Sequence, residues 1–168
     1  MDRVRPHLAA FLGATLGVAV IAWLGLVDFS WNDYDLEASG AYRALSQGHI
    51  GTFVSLCPAY AGSMVLRAPF ALVPGFWGGG ELAVYRAVAL PGLAALVVLA
   101  VWLAAQMRAR GLPMLARVTA VALVSSGPVA ERALELGHSE ELLAAALAVG
   151  ALLCALRGRT VWAGLLLG

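Results

Sequence analysis

Two carboxylates set two residues apart, Asp33 and Asp35, follow directly on a long apolar run. At a helix start that faces a cavity, such a pair can supply a general base and a polar group that orients it. The plainer role is to cap the helix as solvated acids, and spacing alone does not choose between the two. Arg67 stands in Met64-Val-Leu-Arg-Ala-Pro-Phe. An arginine there can hold a lipid phosphate bidentately, or it can snorkel to the membrane surface. Pro69 favours the first role, because irregular backbone at membrane depth usually lines a cavity. His138 and Glu141, at i and i+3, could bind a substrate hydroxyl or share a metal. Two ligands are too few for a metal site, and none is expected. Ser139 and Glu140 read as helix cap and dipole partner, and Arg86 and Arg132 as snorkelling side chains.

These residues need elements to hold them, and the composition says which kind. Hydrophobic residues make up 61% of the 168 and charged residues 12%. The mean hydropathy is +0.85. Soluble domains carry about 25% charged residues. The expected fold is therefore an all-α integral membrane protein, a multi-span helical bundle. Cys57 and Cys154 fall in different kinds of segment and are not expected to pair.

Residues 8–27 carry no charge and are long enough to cross a hydrocarbon core of about 30 Å. They read as a retained signal anchor rather than a cleaved leader, since the apolar core is too long for one. Residues 28–81 form a long first outer loop carrying short interfacial helices. One helix is expected over 34–47, closed by Gly48 and capped by Asn32 or Asp33. Residues 49–60 read as irregular. Residues 61–73 read as a broken re-entrant or interfacial helix that ends at Pro74. Further spans are expected at about 82–105, 115–134 and 142–156, with a fifth starting at 161. Pro91 is expected to kink the second, and the third weakens at Ser125-Ser-Gly-Pro.

All eleven basic residues are arginine, and seven of them (Arg3, Arg5, Arg108, Arg110, Arg117, Arg157, Arg159) fall on one side of this arrangement. The positive-inside bias makes that side, with the N-terminus, cytoplasmic. Nine of the ten acids fall on the other side. Acids contribute little to orientation, so an extracytoplasmic active site is the better account of their placement. There is no phosphate-binding loop, dinucleotide fingerprint, zinc spacing or nucleophile elbow. No basic patch with interleaved aromatics points to nucleic acid. No cofactor is expected.

The order of motifs resembles a known family. Trp31-Asn-Asp-Tyr-Asp-Leu-Glu-Ala is followed by Ala44-Leu-Ser-Gln-Gly-His, Pro58-Ala-Tyr-Ala-Gly-Ser and Leu66-Arg-Ala-Pro-Phe. Glu135-Leu-Gly-His-Ser-Glu-Glu-Leu-Leu and Arg159-Thr-Val-Trp-Ala-Gly-Leu-Leu-Leu-Gly come later. This is similar to the N-terminal part of bacterial polyprenyl-phosphate-dependent glycosyltransferases of the GT-C fold. That family includes the actinobacterial mannosyltransferases acting on phosphatidylinositol mannosides. The resemblance implies transfer of a mannose-like hexose from a polyprenyl-phosphate donor to a lipid or cell-envelope acceptor on the outer face. It implies Asp33 as general base, with Asp35 as its rival, and Arg67 and His138 on the donor phosphate. It also implies that residues 1–168 are the N-terminal part of a longer enzyme domain. Two other classes compete: a transporter or flippase-like module, and a non-catalytic envelope assembly protein.

Overall fold

The computed structural model describes residues 5–27, 34–58 and 62–167. Among them there is no strand. Helix α1 is Arg5–Val27. A π-helical turn, Asp35–Ser39, runs into α2, Gly40–Ser46. Then come α3, Ile50–Leu56, and α4, Gly62–Gly75. The long α5, Glu81–Ala109, is followed by α6, Met114–Ser126, α7, Pro128–Glu135, α8, Ser139–Ala155, and α9, Thr160–Leu167.

α5 is the spine. α1, α4, α6 and α8 all pack against it, α1 also packs on α6 and α7, and α9 leans on α8. The contacts define two ends. Residues 34–58 and 62–81, α7 and the start of α8 gather at one, the loop end, where Arg86 donates to the Leu26 carbonyl and Tyr85 to that of Leu134. The other is basic: the start of α1, Arg108 at the end of α5 and Arg117 in α6 line one groove there. Most of the buried core lies toward the loop end, around Tyr34, Tyr42, Met64, Val84, Tyr85, Val88 and Leu134.

Among the described residues, two helices are long and apolar enough to cross a membrane, His7–Val27 and Glu81–Ala109. Their outward faces are greasy. Leu8, Phe11, Leu12, Leu16, Val20 and Trp23 of α1 are all exposed. Contiguous apolar surface of that extent needs a cover other than water.

Several element boundaries differ from the sequence expectation, each for a local reason. Residues 49–60 contain a helix, α3, which puts Phe53 into the core beside Tyr42. The segment expected to be broken at Pro69 is one continuous helix with Pro69 and Pro74 inside it. Each proline removes only one intrahelical N–H, and packing on α5 and α2 compensates. α5 likewise runs through Pro91. The third apolar segment is two helices, because Gly127 is extended and Pro128 starts a new helix at its favoured first position. Gly48 closes α2 as expected, with a positive φ of 82° and the His49 N–H returning to the Ala44 carbonyl.

Candidate functional site

The site is built on α4. Its buried positions are Met64, Arg67, Ala71 and Pro74, spaced 3, 4 and 3 residues apart, so they form one stripe facing α5. Arg67 therefore points into the bundle by helical geometry, and it is only 1% exposed. A buried guanidinium must be paired and hydrogen-bonded to be tolerated. Its Nε donates to the Ser63 carbonyl at 3.2 Å. Its Nη1 donates to Ser139 Oγ at 2.9 Å and meets Glu140 Oε2 at 3.2 Å. The Tyr42 ring lies 5.4 Å from its Cζ, within cation–π range. Its Nη2 makes no hydrogen bond to the described residues.

The partners come from the first turn of α8, reached through Glu135-Leu-Gly-His. Gly137 has φ +90°, and a Cβ there would lie 2.7 Å from Tyr34 Cβ. Only glycine lets the turn press against the first loop in this way. Ser139 is not the helix cap that its type suggested. His138 is the cap position, without a side-chain cap bond, and Ser139 is fully buried with its hydroxyl turned to Arg67. Glu140, at the positive end of α8, adds the balancing charge.

An aromatic wall backs the arginine. Tyr34 stacks on Tyr42 with centroids 6.3 Å apart and tilts against Tyr85 at 4.7 Å. The Tyr42 hydroxyl donates to the Met64 carbonyl at 3.4 Å. Burial pushes the phenols of Tyr34 and Tyr42 well above their ordinary value near 10, and Arg67 opposes the rise in both. A small cavity of about 70 Å³ opens between these groups. Tyr34, Glu37, Ser63, Arg67, Gly137 and Glu140 line it.

No family model, curated protein or solved structure matches the chain. The site is therefore read from its geometry and chemistry.

The residues singled out by sequence are distributed as follows. Arg67 lines the cavity. His138 is beside it, with Nδ1 3.3 Å from Glu140 Oε1 and 3.9 Å from Glu141 Oε1. Glu141 is 65% exposed at its side chain and does not line the cavity. Asp35 is exposed too; its carboxylate and carbonyl both accept from Ser39 Oγ, at 3.2 and 3.0 Å. Asp33 lies outside the described residues, and its covalent neighbour Tyr34 lines the cavity. No cluster of three metal-ligating side chains occurs among the described residues. Arg86 reaches the C-terminal carbonyls of α1 and Arg132 pairs with Glu135 at 2.6 Å, so neither faces the cavity.

Sequence reading missed Ser139 and Glu140 as partners of Arg67, and Glu37 as a cavity carboxylate. For the first two, the signal was the burial stripe of α4. An arginine in register with Met64 and Ala71 requires an acid and a hydroxyl across from it. For Glu37 the signal is weaker, because the π turn at Asp35–Ser39 shifts the register that an α-helix would give. Such turns are frequent at functional sites.

Proposed function

We propose that the chain forms part of a membrane glycosyltransferase, with the Arg67 cavity at its extracytoplasmic active end. The reaction would move a hexose, mannose-like, from a polyprenyl-phosphate donor to a lipid or cell-envelope acceptor. The observation that carries the reading is a buried arginine lining a cavity that has the carboxylates Glu37 and Glu140 on its wall. Asp33 is the proposed base on the acceptor hydroxyl, and Asp35 its alternate. Glu37 is the carboxylate already at the cavity wall. Arg67, through the N–H groups of Nη2, is the contact for the departing phosphate, and His138 reinforces it when protonated. Such a leaving group needs little protonation, so a base and a fixed positive contact supply most of the chemistry.

The bilayer is part of the proposal. A lipid-linked donor arrives by lateral diffusion, so its site has to open sideways into lipid. The multi-pass arrangement, with α6–α7, α8 and α9 as further membrane segments, provides that setting. The charge asymmetry along the sequence supports a cytoplasmic N-terminus.

One observation favours a second reading, a non-catalytic envelope assembly protein. The guanidinium of Arg67 is already engaged by Ser139 and Glu140, and the cavity is smaller than a sugar phosphate. In that role the cluster is a clamp joining α4 to α8. The deciding experiment is Asp33→Asn in the membrane-inserted protein, assayed for transfer from a polyprenyl-phosphate hexose. A fall of at least about 100-fold, the scale of a lost general base, is expected. Wild-type turnover by that variant removes Asp33, and no turnover by the wild type favours the clamp.

A further inference from the structure

A second and much larger cavity lies at the basic end, far from Arg67. It is a groove of about 610 Å³ between α1 and α6, floored by the last turn of α5. Small ligand sites span about 300–1,000 Å³, so its size is that of a binding site. Gly13, Leu16, Gly17 and Val20 of α1 face Val118 and Val121 of α6 across it. Two serines also line it, but their hydroxyls are turned back into α6. Ser125 Oγ donates to the Val121 carbonyl at 2.7 Å and Ser126 Oγ to that of Ala122 at 2.8 Å. The walls are therefore apolar in effect.

The groove is a wedge. A Cβ on Gly17 would collide with the Ser125 side chain, so the helices touch there. One turn earlier, a Cβ on Gly13 would meet nothing within 4 Å. From Gly17 the helices splay toward the basic end, and the mouth is flanked by His7, Arg108 and Arg117. No acid lines the groove, and neither arginine forms an ion pair among the described residues. The Nε of Arg117 is buried and has no hydrogen-bond partner. A buried guanidinium N–H without an acceptor is costly, and it marks where an acceptor is wanted.

We propose that this groove binds one anionic glycerophospholipid from the leaflet at the basic end. An acyl chain would lie between α1 and α6, with the headgroup phosphate between Arg108 and Arg117. Charge and shape select this occupant together. The apolar slot, from His7 to the contact at Gly17, is ~15 Å long at 1.5 Å per residue, which suits an acyl chain. The arginines at its mouth, unpaired among the described residues, call for a bidentate anion. A zwitterionic headgroup would bring a second cation to them. The inference rests on the membrane reading of the two long apolar helices and is independent of sugar transfer.

The test is native mass spectrometry of the detergent-extracted protein titrated with phosphatidylglycerol or phosphatidylcholine of equal chain length. Carbonate extraction of the source membranes runs beside it. The expected result is a single tightly held phosphatidylglycerol, retained at least tenfold better than phosphatidylcholine. Arg108→Gln with Arg117→Gln should bring the two lipids level. Gly13→Phe, which fills open space, should abolish both. Equal retention by the wild type, or undiminished binding by Gly13→Phe, overturns the proposal. So does a protein dimer that forms through the groove and excludes lipid. Because Arg108 is exposed and Arg117 only partly buried, the double variant keeps the test valid if Gly13→Phe folds poorly. Resistance to carbonate without a headgroup preference sinks the lipid site alone. Release by carbonate sinks the membrane reading on which it rests.

Discussion

At the loop end, Gly137 lies so close to Tyr34 that a Cβ would sit 2.7 Å from its neighbour; at the basic end, Gly13 faces empty space. The same contrast holds for the arginines. Arg67 is enclosed by a carbonyl, a hydroxyl, a carboxylate and an aromatic ring. Arg108 and Arg117 flank a groove with no acid in it among the described residues. One end of the bundle is closed around its charge, and the other is left open around its own. A closed arginine serves packing and local electrostatics, whatever else it does. An open one has its charge available to something outside the chain. The difference separates a site whose residues can be tested by stability from one whose residues can be tested only by binding.

The contrast is most severely tested by truncating one arginine at each end. Arg67→Ala leaves the buried Ser139 hydroxyl without its donor and takes one of two partners from the part-exposed Glu140, which keeps His138, at a cost of about 3 kcal/mol. Arg117→Ala removes a guanidinium whose buried Nε has no acceptor among the described residues, so stability should be unchanged or rise by about 1 kcal/mol. Thermal unfolding in detergent measures both, and equal losses would erase the distinction between the ends. The glycines give the next effect. Gly137→Ala forces a side chain into a positive-φ turn against Tyr34, costing about 1–3 kcal/mol. Gly13→Ala has room and gains up to about 1 kcal/mol from helix propensity.

The smallest effect expected is an alkaline one, confined to the loop end. Burial holds the phenols of Tyr34 and Tyr42 above their ordinary value near 10 in the folded chain. The unfolded chain therefore loses those protons first as pH rises. Stability is fully present below pH 10 and falls as pH climbs beyond it. Unfolding midpoints measured from pH 8 upward should begin to drop near pH 10, and Tyr42→Phe should flatten the drop. A flat profile in the wild type would mean that the aromatic wall is open to water.

The long elements were legible in the sequence, because uninterrupted apolar length marks α1 and α5 and the arginine clusters mark their turns. Arg67 was legible as an unusual residue, since a charge in an apolar segment flanked by prolines has few ordinary explanations. Its partners were not. Ser139 and Glu140 follow a turn and look like a routine helix start, and only the packing of α4 against α8 shows that both positions are taken up by Arg67, far earlier in the chain. The continuity of α4 was also hidden, because proline is a strong local signal that tertiary packing overrode. The groove at the basic end had no signature, since splay between two helices depends on where small residues touch, and Gly13 and Gly17 look alike on paper.

The break at Gly127 has one more consequence. α6 ends there after 13 residues, ~20 Å at 1.5 Å per residue, while α5 beside it has 29 residues and runs for ~44 Å. A hydrocarbon core is about 30 Å thick. α5 exceeds that thickness, so wherever it crosses a bilayer its extra length is met by tilt, and the shorter α6 accompanies it over less than half of its course.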